Sequence, residues 1–240
     1  QMRALIAQMR MRRDRAVVFD LTGAYVEAFY NPQTDVILNP MDERCPSWSV
    51  FGEAKNHADF TGIAAALLPA DGGGAEPFWM LAARTLFVET CIKLIKDGQA
   101  TNQALASRLM MADLKEVHKM LENTVADPLT APEAAKMAES IRAVFNTNAQ
   151  ALRFLPEGKE PFSIQSWLRN DDKPGSILFI TSSHNELVLN RALLSLWMNL
   201  AVHTLMRLPR TRSLRTWFFF DEVHALHRLP AIEDGLQTAR

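Results

Sequence analysis

This sequence is short of cysteine, of any surplus of one charge, and of apolar runs long enough to cross a membrane. Its only thiols, Cys45 and Cys91, are far apart and have no CxxC or histidine spacing around them. Neither a disulfide framework nor a zinc site is therefore expected, and a reducing cytoplasm suits the chain. Lys plus Arg number 26 against 27 for Asp plus Glu, a formal charge of −1, so no general basic field marks a nucleic-acid binder and such a partner would need a local patch. The longest apolar stretch, Leu187 to Met206, is interrupted by Asn190, Arg191, Ser195, Asn199 and His203, residues that are costly in hydrocarbon. It reads as a buried helix. No internal repeat, low-complexity tract or signal peptide is present.

What is there is the composition of a globular protein, with 48% hydrophobic and 22% charged residues. Gln1 to Arg13 is helical in pattern from its first residue, without a capping residue, and Ala231 to Arg240 stops inside a helical pattern. The chain is accordingly expected to be a piece of a longer one. Ala16-Val17-Val18-Phe19-Asp20 then reads as a buried parallel strand with a carboxylate at its tip, and Leu21-Thr22-Gly23 as a turn. Ala24 to Tyr30 predicts a short helix and Asp35 to Leu38 a second strand, the cadence of a parallel α/β sheet.

The cadence stops at about Lys55, and up to Leu155 every periodic segment looks helical. His57 to Leu68, Pro77 to Lys96, Asn102 to Met111 and Leu114 to Leu121 are expected helices, with Thr101 and Asp113 as caps and a Gly72-Gly73-Gly74 loop after the first. Pro132 sits where a first turn would open a helix from Glu133 to about Phe154. Strand signals return at Ser176 to Thr181 and Thr216 to Phe220, with Glu186 to Met206 as the crossover helix that a parallel pair requires. The expected fold is an α/β parallel sheet interrupted by an all-α insertion, divided as residues 1–54, 55–157 and 158–240.

The sharpest chemical signal is Trp217-Phe218-Phe219-Phe220-Asp221-Glu222. A continuous bulky apolar run fits a central strand covered on both faces, and two acids at its carboxyl end sit where open α/β sheets place ligands. In a P-loop ATPase the first acid helps to hold magnesium and the second polarises the attacking water. The plain alternative is that Asp221 caps a short helix, Val223 to His227, and Glu222 is a solvated first-turn acid.

Along nearly its whole length the chain resembles the TraD-type conjugative coupling proteins, DNA-translocating ATPases of the FtsK-like class. Val18-Phe19-Asp20-Leu21-Thr22-Gly23 is similar to the family's second strand and turn. Asp35-Val36-Ile37-Leu38-Asn39-Pro40-Met41-Asp42-Glu43-Arg44-Cys45 is similar to its "ILNPLDxRC" segment. Pro77-Phe78-Trp79, Ser140-Ile141-Arg142-Ala143-Val144 and Pro161-Phe162-Ser163-Ile164 resemble points within and just after its helical insertion.

The resemblance implies a RecA-like P-loop nucleotide-binding domain, ATP and Mg2+ as cofactors, and a homo-hexamer. It further implies movement of single-stranded DNA with relaxosome proteins towards type IV secretion channel proteins. The family's Gly-Lys-Ser/Thr loop runs directly into the helix beginning here at Gln1, so the phosphate cradle is expected to lie outside this chain, which alone should neither bind ATP tightly nor hydrolyse it. The family's membrane anchors precede that loop, so this chain is expected to be soluble and its parent to sit at the cytoplasmic face of the bacterial inner membrane.

The resemblance assigns Asp221 to the metal and Glu222 to the water. Arg240, nineteen positions after Asp221, has a spacing similar to that of the arginine that coupling proteins insert into a neighbour's nucleotide site; a solvated helix-end arginine weighs equally. Asp20 either approaches the magnesium shell or caps the helix starting near Ala24, the cap being slightly favoured.

Weaker signals have plainer readings. Asp221-Glu222-Val223-His224 spells the DExH pattern of helicases in only four letters. His224 and His227 share a helix face but lack a third ligand. Arg10, Arg12, Arg13 and Arg15, and Arg207, Arg210, Arg212 and Arg215, are expected as solvated ends at the sheet edge opposite the nucleotide, with DNA contact the lesser alternative. The rival class is a non-catalytic module in which the helical insertion docks a partner and the carboxylates are remnants.

Overall fold

A computed structural model describes residues 1–69, 77–170, 172–209, 215–227, 229 and 232. The Gly72-Gly73-Gly74 loop, Arg210, Arg212, the helical pattern over 231–240 and Arg240 itself lie outside the described residues. In chain order the elements are α1 (Met2–Met11), β1 (Arg15–Asp20), α2 (Ala24–Phe29), β2 (Val36–Leu38), β3 (Ser47–Trp48), α3 (Val50–Glu53), α4 (His57–Leu67) and α5 (Pro77–Lys96). They continue as α6 (Asn102–Ala106), α7 (Leu114–Leu121), α8 (Asp127–Thr130), α9 (Ala135–Asn148), β4 (Pro161–Phe162), α10 (Ile164–Arg169), β5 (Ile177–Thr181), α11 (Leu187–Arg207) and β6 (Thr216–Phe220).

Two compact units result, Gln1–Trp48 with Pro156–Arg240, and Ser49–Leu155. Their borders fall six and two residues ahead of the expected ones at 54/55 and 157/158, because α3 already belongs to the helical unit.

The first unit is a four-stranded parallel sheet in the order β2-β5-β1-β6, beside a two-residue parallel pairing of β3 with β4. All six residues of β1 and all five of β5 are buried, as a continuous apolar run in a doubly covered parallel sheet demands. One face, carrying Ala16, Val18, Ile177, Phe179 and Phe219, packs against Ile6 and Met9 of α1 and Val26 of α2. The alternate residues face the other way. There α11 supplies the cover, and its Trp197 meets Trp48 edge to face at 5.6 Å.

The crossover β1-α2-β2 passes over β5, whereas β5-α11-β6 passes over β1 in the opposite direction. Right-handed crossovers of opposite direction put their helices on opposite faces. The two connections diverge between β1 and β5, and that divergence opens the sheet's carboxyl edge there.

β6 departs from the expectation of a strand covered on both faces. Only Phe219 is buried and its four neighbours are part-exposed, because β6 pairs with β1 alone among the described residues. Its aromatics are held by their own stacking, Trp217 on Phe219 and Phe218 on Phe220, each pair with centroids 6.2 Å apart.

The second unit is wholly helical among its described residues. Its helices start where side chains accept an otherwise orphaned amide: Asn56 from Asp59 at 3.0 Å, Thr101 from Ala104 at 3.0 Å and Asp113 from Lys115 at 2.7 Å. In α5, Met80, Ala83, Phe87, Cys91 and Leu94 recur at helical spacing and are buried, forming core. Two expected helices are interrupted. Asn102 to Met111 turns into a π-helix at Ser107–Met111, and Glu133 to Phe154 divides into a 3-10 turn, α9 and a second 3-10 stretch at Gln150–Phe154.

Candidate functional site at the carboxyl edge of the sheet

The register of β1 and β6 sets the site. Phe19 lies opposite Phe220, and the ladder runs one residue further because the Asp221 amide donates to the Phe19 carbonyl at 3.0 Å. Asp20 and Asp221 are therefore level on neighbouring strands, about 4.8 Å apart along the sheet. By strand alternation both follow Val18 and Phe219 onto the face covered by α1 and α2.

Asp20 is fully buried, and its Oδ2 accepts the amides of Tyr25 at 2.8 Å and Val26 at 2.9 Å. The favoured capping alternative is what the structure shows: the carboxylate sits on the amide end of α2, where partial positive charge favours it. The chain reaches α2 through Gly23, whose φ of +74° is a left-handed conformation natural to glycine. The Thr181 hydroxyl donates to the Asp20 carbonyl at 2.5 Å, tying the tip of β5 to that of β1.

Asp221 has no such support. It accepts no side-chain or amide hydrogen bond and pairs with no cation among the described residues. Partial burial raises its pKa, and the negative charges of Asp20 and Glu222 raise it further. A carboxyl group held against like charge is a position where an external cation relieves the repulsion.

Glu222 adopts φ 57° and ψ 47°, a left-handed conformation that costs a non-glycine residue on the order of 1 kcal/mol. That turn ends the strand and swings Glu222 away from Asp221. Its carboxylate meets the His224 Nε2 at 3.2 Å, both side chains being exposed. The expected short helix Val223 to His227 is only a 3-10 turn, Val223–Ala225, with no side-chain cap from Asp221 or Glu222. His227 lies beyond it and donates its backbone amide to the Ser195 hydroxyl at 2.9 Å, so the shared helix face with His224 does not form. Among the described residues no group of three or more His, Cys, Asp or Glu side chains is placed to hold a metal ion.

Two features of this edge escaped the sequence reading. Tyr25, on α2, lies within electrostatic reach of Asp221 and Asp20, and burial together with those charges raises its phenol pKa, while Arg3 opposes them. The first turn of α1 is thereby placed beside the acids. A crevice of about 530 Å³ also opens where the connections after β1 and β5 diverge, lined by Thr22, Gly23, Asn39, Thr181, Ser182 and Glu186 among others. This is the topological switch point of the described sheet. The signal for it was Thr181-Ser182-Ser183, three hydroxyls directly after an apolar strand.

Of the arginines expected to be solvated at the amino edge, Arg12, Arg13, Arg207 and Arg215 are exposed, whereas Arg10 and Arg15 are drawn into the unit. Arg10 pairs with the buried Asp35 at 2.5 Å and donates to the Phe29 carbonyl at 2.8 Å. Arg15 is buried, donating to the carbonyls of Asn170 and Trp167, the latter at 2.5 Å.

Comparison with known proteins gives consistent matches. The profile of the type IV secretion-system coupling protein DNA-binding domain matches residues 1–240. Coupling protein TraD of Escherichia coli (strain K12) is 33% identical over 243 residues, covering 99% of this chain and 34% of TraD. Unbound TrwBdeltaN70, a bacterial conjugative coupling protein, superposes with a TM-score of 0.87 at 32% identity, over 100% of this chain and 56% of that one. The TrwB complex with the ATP analogue ADPNP has a TM-score of 0.87 at 30% identity, over 100% of this chain and 57% of that one. The TrwB complex with ADP and Mg2+ has a TM-score of 0.87 at 31% identity, again over 100% and 57%. The chain thus spans about a third of TraD and a little over half of the TrwB chains.

Proposed function

Because this chain belongs to the TrwB/TraD family of type IV secretion-system coupling proteins, with the RecA-like parallel sheet and all-α insertion of that fold, we propose that it forms part of an ATP-driven DNA translocase. In its complete form that machine couples the relaxosome to a type IV secretion channel. The observation that carries this reading is Asp221: a carboxylate at the open end of β6, its pKa raised by partial burial and by neighbouring negative charge, and matched by no cation among the described residues. TrwB structures with ADP and Mg2+ and with nucleotide analogues support a nucleotide ligand for this fold.

The residues fit magnesium in the manner usual for nucleotide sites. Mg2+ takes one or two carboxylates together with phosphate and water, so a lone Asp221 without a three-ligand cluster is adequate. When bound, the ion neutralises charge building on the transferred phosphoryl group. Asp221 would hold the hydrated cation, and Asp20, held by the α2 amides, would fix the electrostatic field beside it. The left-handed turn at Glu222 separates the second carboxylate from the first, leaving it to accept a proton from the attacking water while His224 steadies it. Arg240 is assigned to the transition state of a neighbouring subunit's site, within a homo-hexamer at the inner membrane.

The test is made in the full-length protein. Glu222→Gln should lower DNA-stimulated ATP hydrolysis by about 100-fold or more and leave ATP-analogue affinity within a few-fold. Hydrolysis at the wild-type rate would remove Glu222 from the mechanism. Arg240→Glu should do the same only in the assembled ring, which mixing with wild-type subunits reveals.

A further inference from the structure

A parallel sheet delivers the start of every strand to one end, and the neighbouring strands β5, β1 and β6 all begin here from basic turns. Backbone bonds fix those turns side by side. The Gly175 amide donates to the Arg13 carbonyl at 3.0 Å, which joins the turn 173–176 to the end of α1. On the other flank the Arg15 amide donates to the Arg215 carbonyl at 2.9 Å. Lys173, Arg13 and Arg215 thus follow one another at the strand spacing, over roughly 10 Å of the amino edge. Arg12 adjoins them, and α11, on the other face of the sheet, ends at Arg207.

Arg12, Arg13, Lys173, Arg207 and Arg215 are exposed, and none has a side-chain partner among the described residues. The described acids of the same turns are Asp14, which accepts from the Trp217 indole at 3.1 Å, and Asp172. In a chain of formal charge −1, this end holds a local surplus of positive charge, the patch that the overall composition does not announce. Arg13 also has a φ of 62°, at the position after a helix that glycine or asparagine ordinarily fills. A long cation kept where it costs stability is one whose charge is used outside the fold.

Apolar groups decide which polyanion the edge meets. Met11, directly before Arg12, is 80% exposed, and Met206, directly before Arg207, is 42% exposed. Both covering helices therefore end on this edge with methionine beside arginine. A nucleic-acid backbone leaves such side chains in water, and the exposed described residues of these turns include no aromatic ring on which a base could stack. An anionic bilayer takes both kinds: its headgroups attract the cations, and its acyl boundary accepts the apolar side chains.

We propose that the amino edge of the sheet unit rests on an anionic phospholipid surface. Arg12, Arg13, Lys173, Arg207 and Arg215 meet headgroup phosphates, and Met11 and Met206 enter the interfacial layer. The contact rests on the inner-membrane placement proposed above for its setting, and on these residues for its chemistry.

Footprinting of the full-length protein in lipid nanodiscs tests it, with phenylglyoxal for arginine and dilute hydrogen peroxide for methionine, both read by mass spectrometry. Discs with about 30% phosphatidylglycerol, compared with neutral phosphatidylcholine discs, should slow modification of Arg12, Arg13, Arg207 and Arg215 about three- to tenfold. Met11 oxidation should slow with them, whereas Arg153, exposed on the helical unit, should react alike in both. Protection should fade as salt rises from about 0.05 M to about 0.5 M, because the headgroup field is screened. Arg12→Gln with Arg13→Gln, both at exposed positions, should remove most of the protection of Met11 and Arg215 and leave ATP hydrolysis unchanged. Conversely, Glu222→Gln should lose hydrolysis and keep the protection. Equal modification in the two kinds of disc would overturn the contact and leave the membrane placement standing. Protection by oligo(dT) in neutral discs as strong as that by the anionic lipid, with Met11 still freely oxidised, would assign the edge to nucleic acid and overturn it as well. A full-length protein retained by discs of neither kind would overturn contact and placement together.

Discussion

The two ends of one parallel sheet treat their charges in opposite ways. At the amino end, Arg10, Arg15 and Asp35 each find partners inside the unit: Asp35 by itself accepts from Arg10, the amides of Asn31 and Ile177, and the Thr34 hydroxyl. At the carboxyl end, Asp20 is satisfied by α2, but Asp221 has no partner among the described residues and Glu222 occupies a strained turn. A charge matched within a fold is costly to strip of its partner, whereas charges left against one another cost stability as they stand and persist where a ligand supplies the missing sign. The difference locates the chemistry more sharply than the acidic doublet does alone, since both ends are rich in charge and the carboxyl end is where a strand-tip carboxylate is left against like charge.

The strongest way to break this comparison is to remove Asp35. Asp35→Ala leaves the Arg10 guanidinium and two amides without their acceptor, and breaking a buried pair in this manner costs about 3–5 kcal/mol. The urea midpoint should fall accordingly with an unchanged slope. A loss below about 1 kcal/mol would show that the amino edge is no better satisfied than the carboxyl edge.

Asp20→Ala comes next, at about 1–2 kcal/mol, the range for losing a helix cap. Part of that cost is offset because the same change relieves the repulsion on Asp221. In the double variant Asp20→Ala, Asp221→Asn the two effects should therefore not add. Additive midpoints would mean that the level register of the two acids has no energetic consequence.

Much of this arrangement was legible in the sequence, and its limits have physical causes. β6 begins and ends at the expected residues, because an aromatic run followed by two acids has one way to end. α5 and α7 match likewise, being marked by Pro77 and by the Asp113 cap. The β3-β4 pairing went unread because two residues carry no period, and its partners are more than a hundred positions apart. The break of the expected 133–154 helix has no proline or glycine within it to announce it. Nor does composition disclose that Arg15 is buried and Arg10 paired with Asp35: a basic run before a strand is written the same way whether its guanidiniums meet water or carbonyls. At the carboxyl edge, alternation and register follow from the strand letters, whereas the left-handed turn at Glu222 does not.

Gly23 gives a smaller and cleaner effect. A Cβ there would meet nothing within 4 Å, so Gly23→Ala is opposed only by the φ of +74°. The expected loss is about 1 kcal/mol, and Gly23→Asn, which tolerates that conformation better, should lose less. Equal losses would point to a contact of the glycine and not to its backbone.

The smallest effect is on Asp221, and its sign is the decisive part. Its folded pKa lies above the unfolded value, so between the two the folded chain binds more protons than the unfolded one. Stability associated with this group is complete below the unfolded pKa, near 4, and declines as pH rises through the folded value. Asp221→Asn, uncharged throughout, should therefore be more stable than the parent at pH 7 and lose that advantage on acidification below about pH 4. Urea midpoints collected across that window read the difference directly. An Asp221→Asn variant less stable than the parent at pH 7 would mean that the carboxylate has a stabilising partner within the protein, and the contrast between the two edges would dissolve.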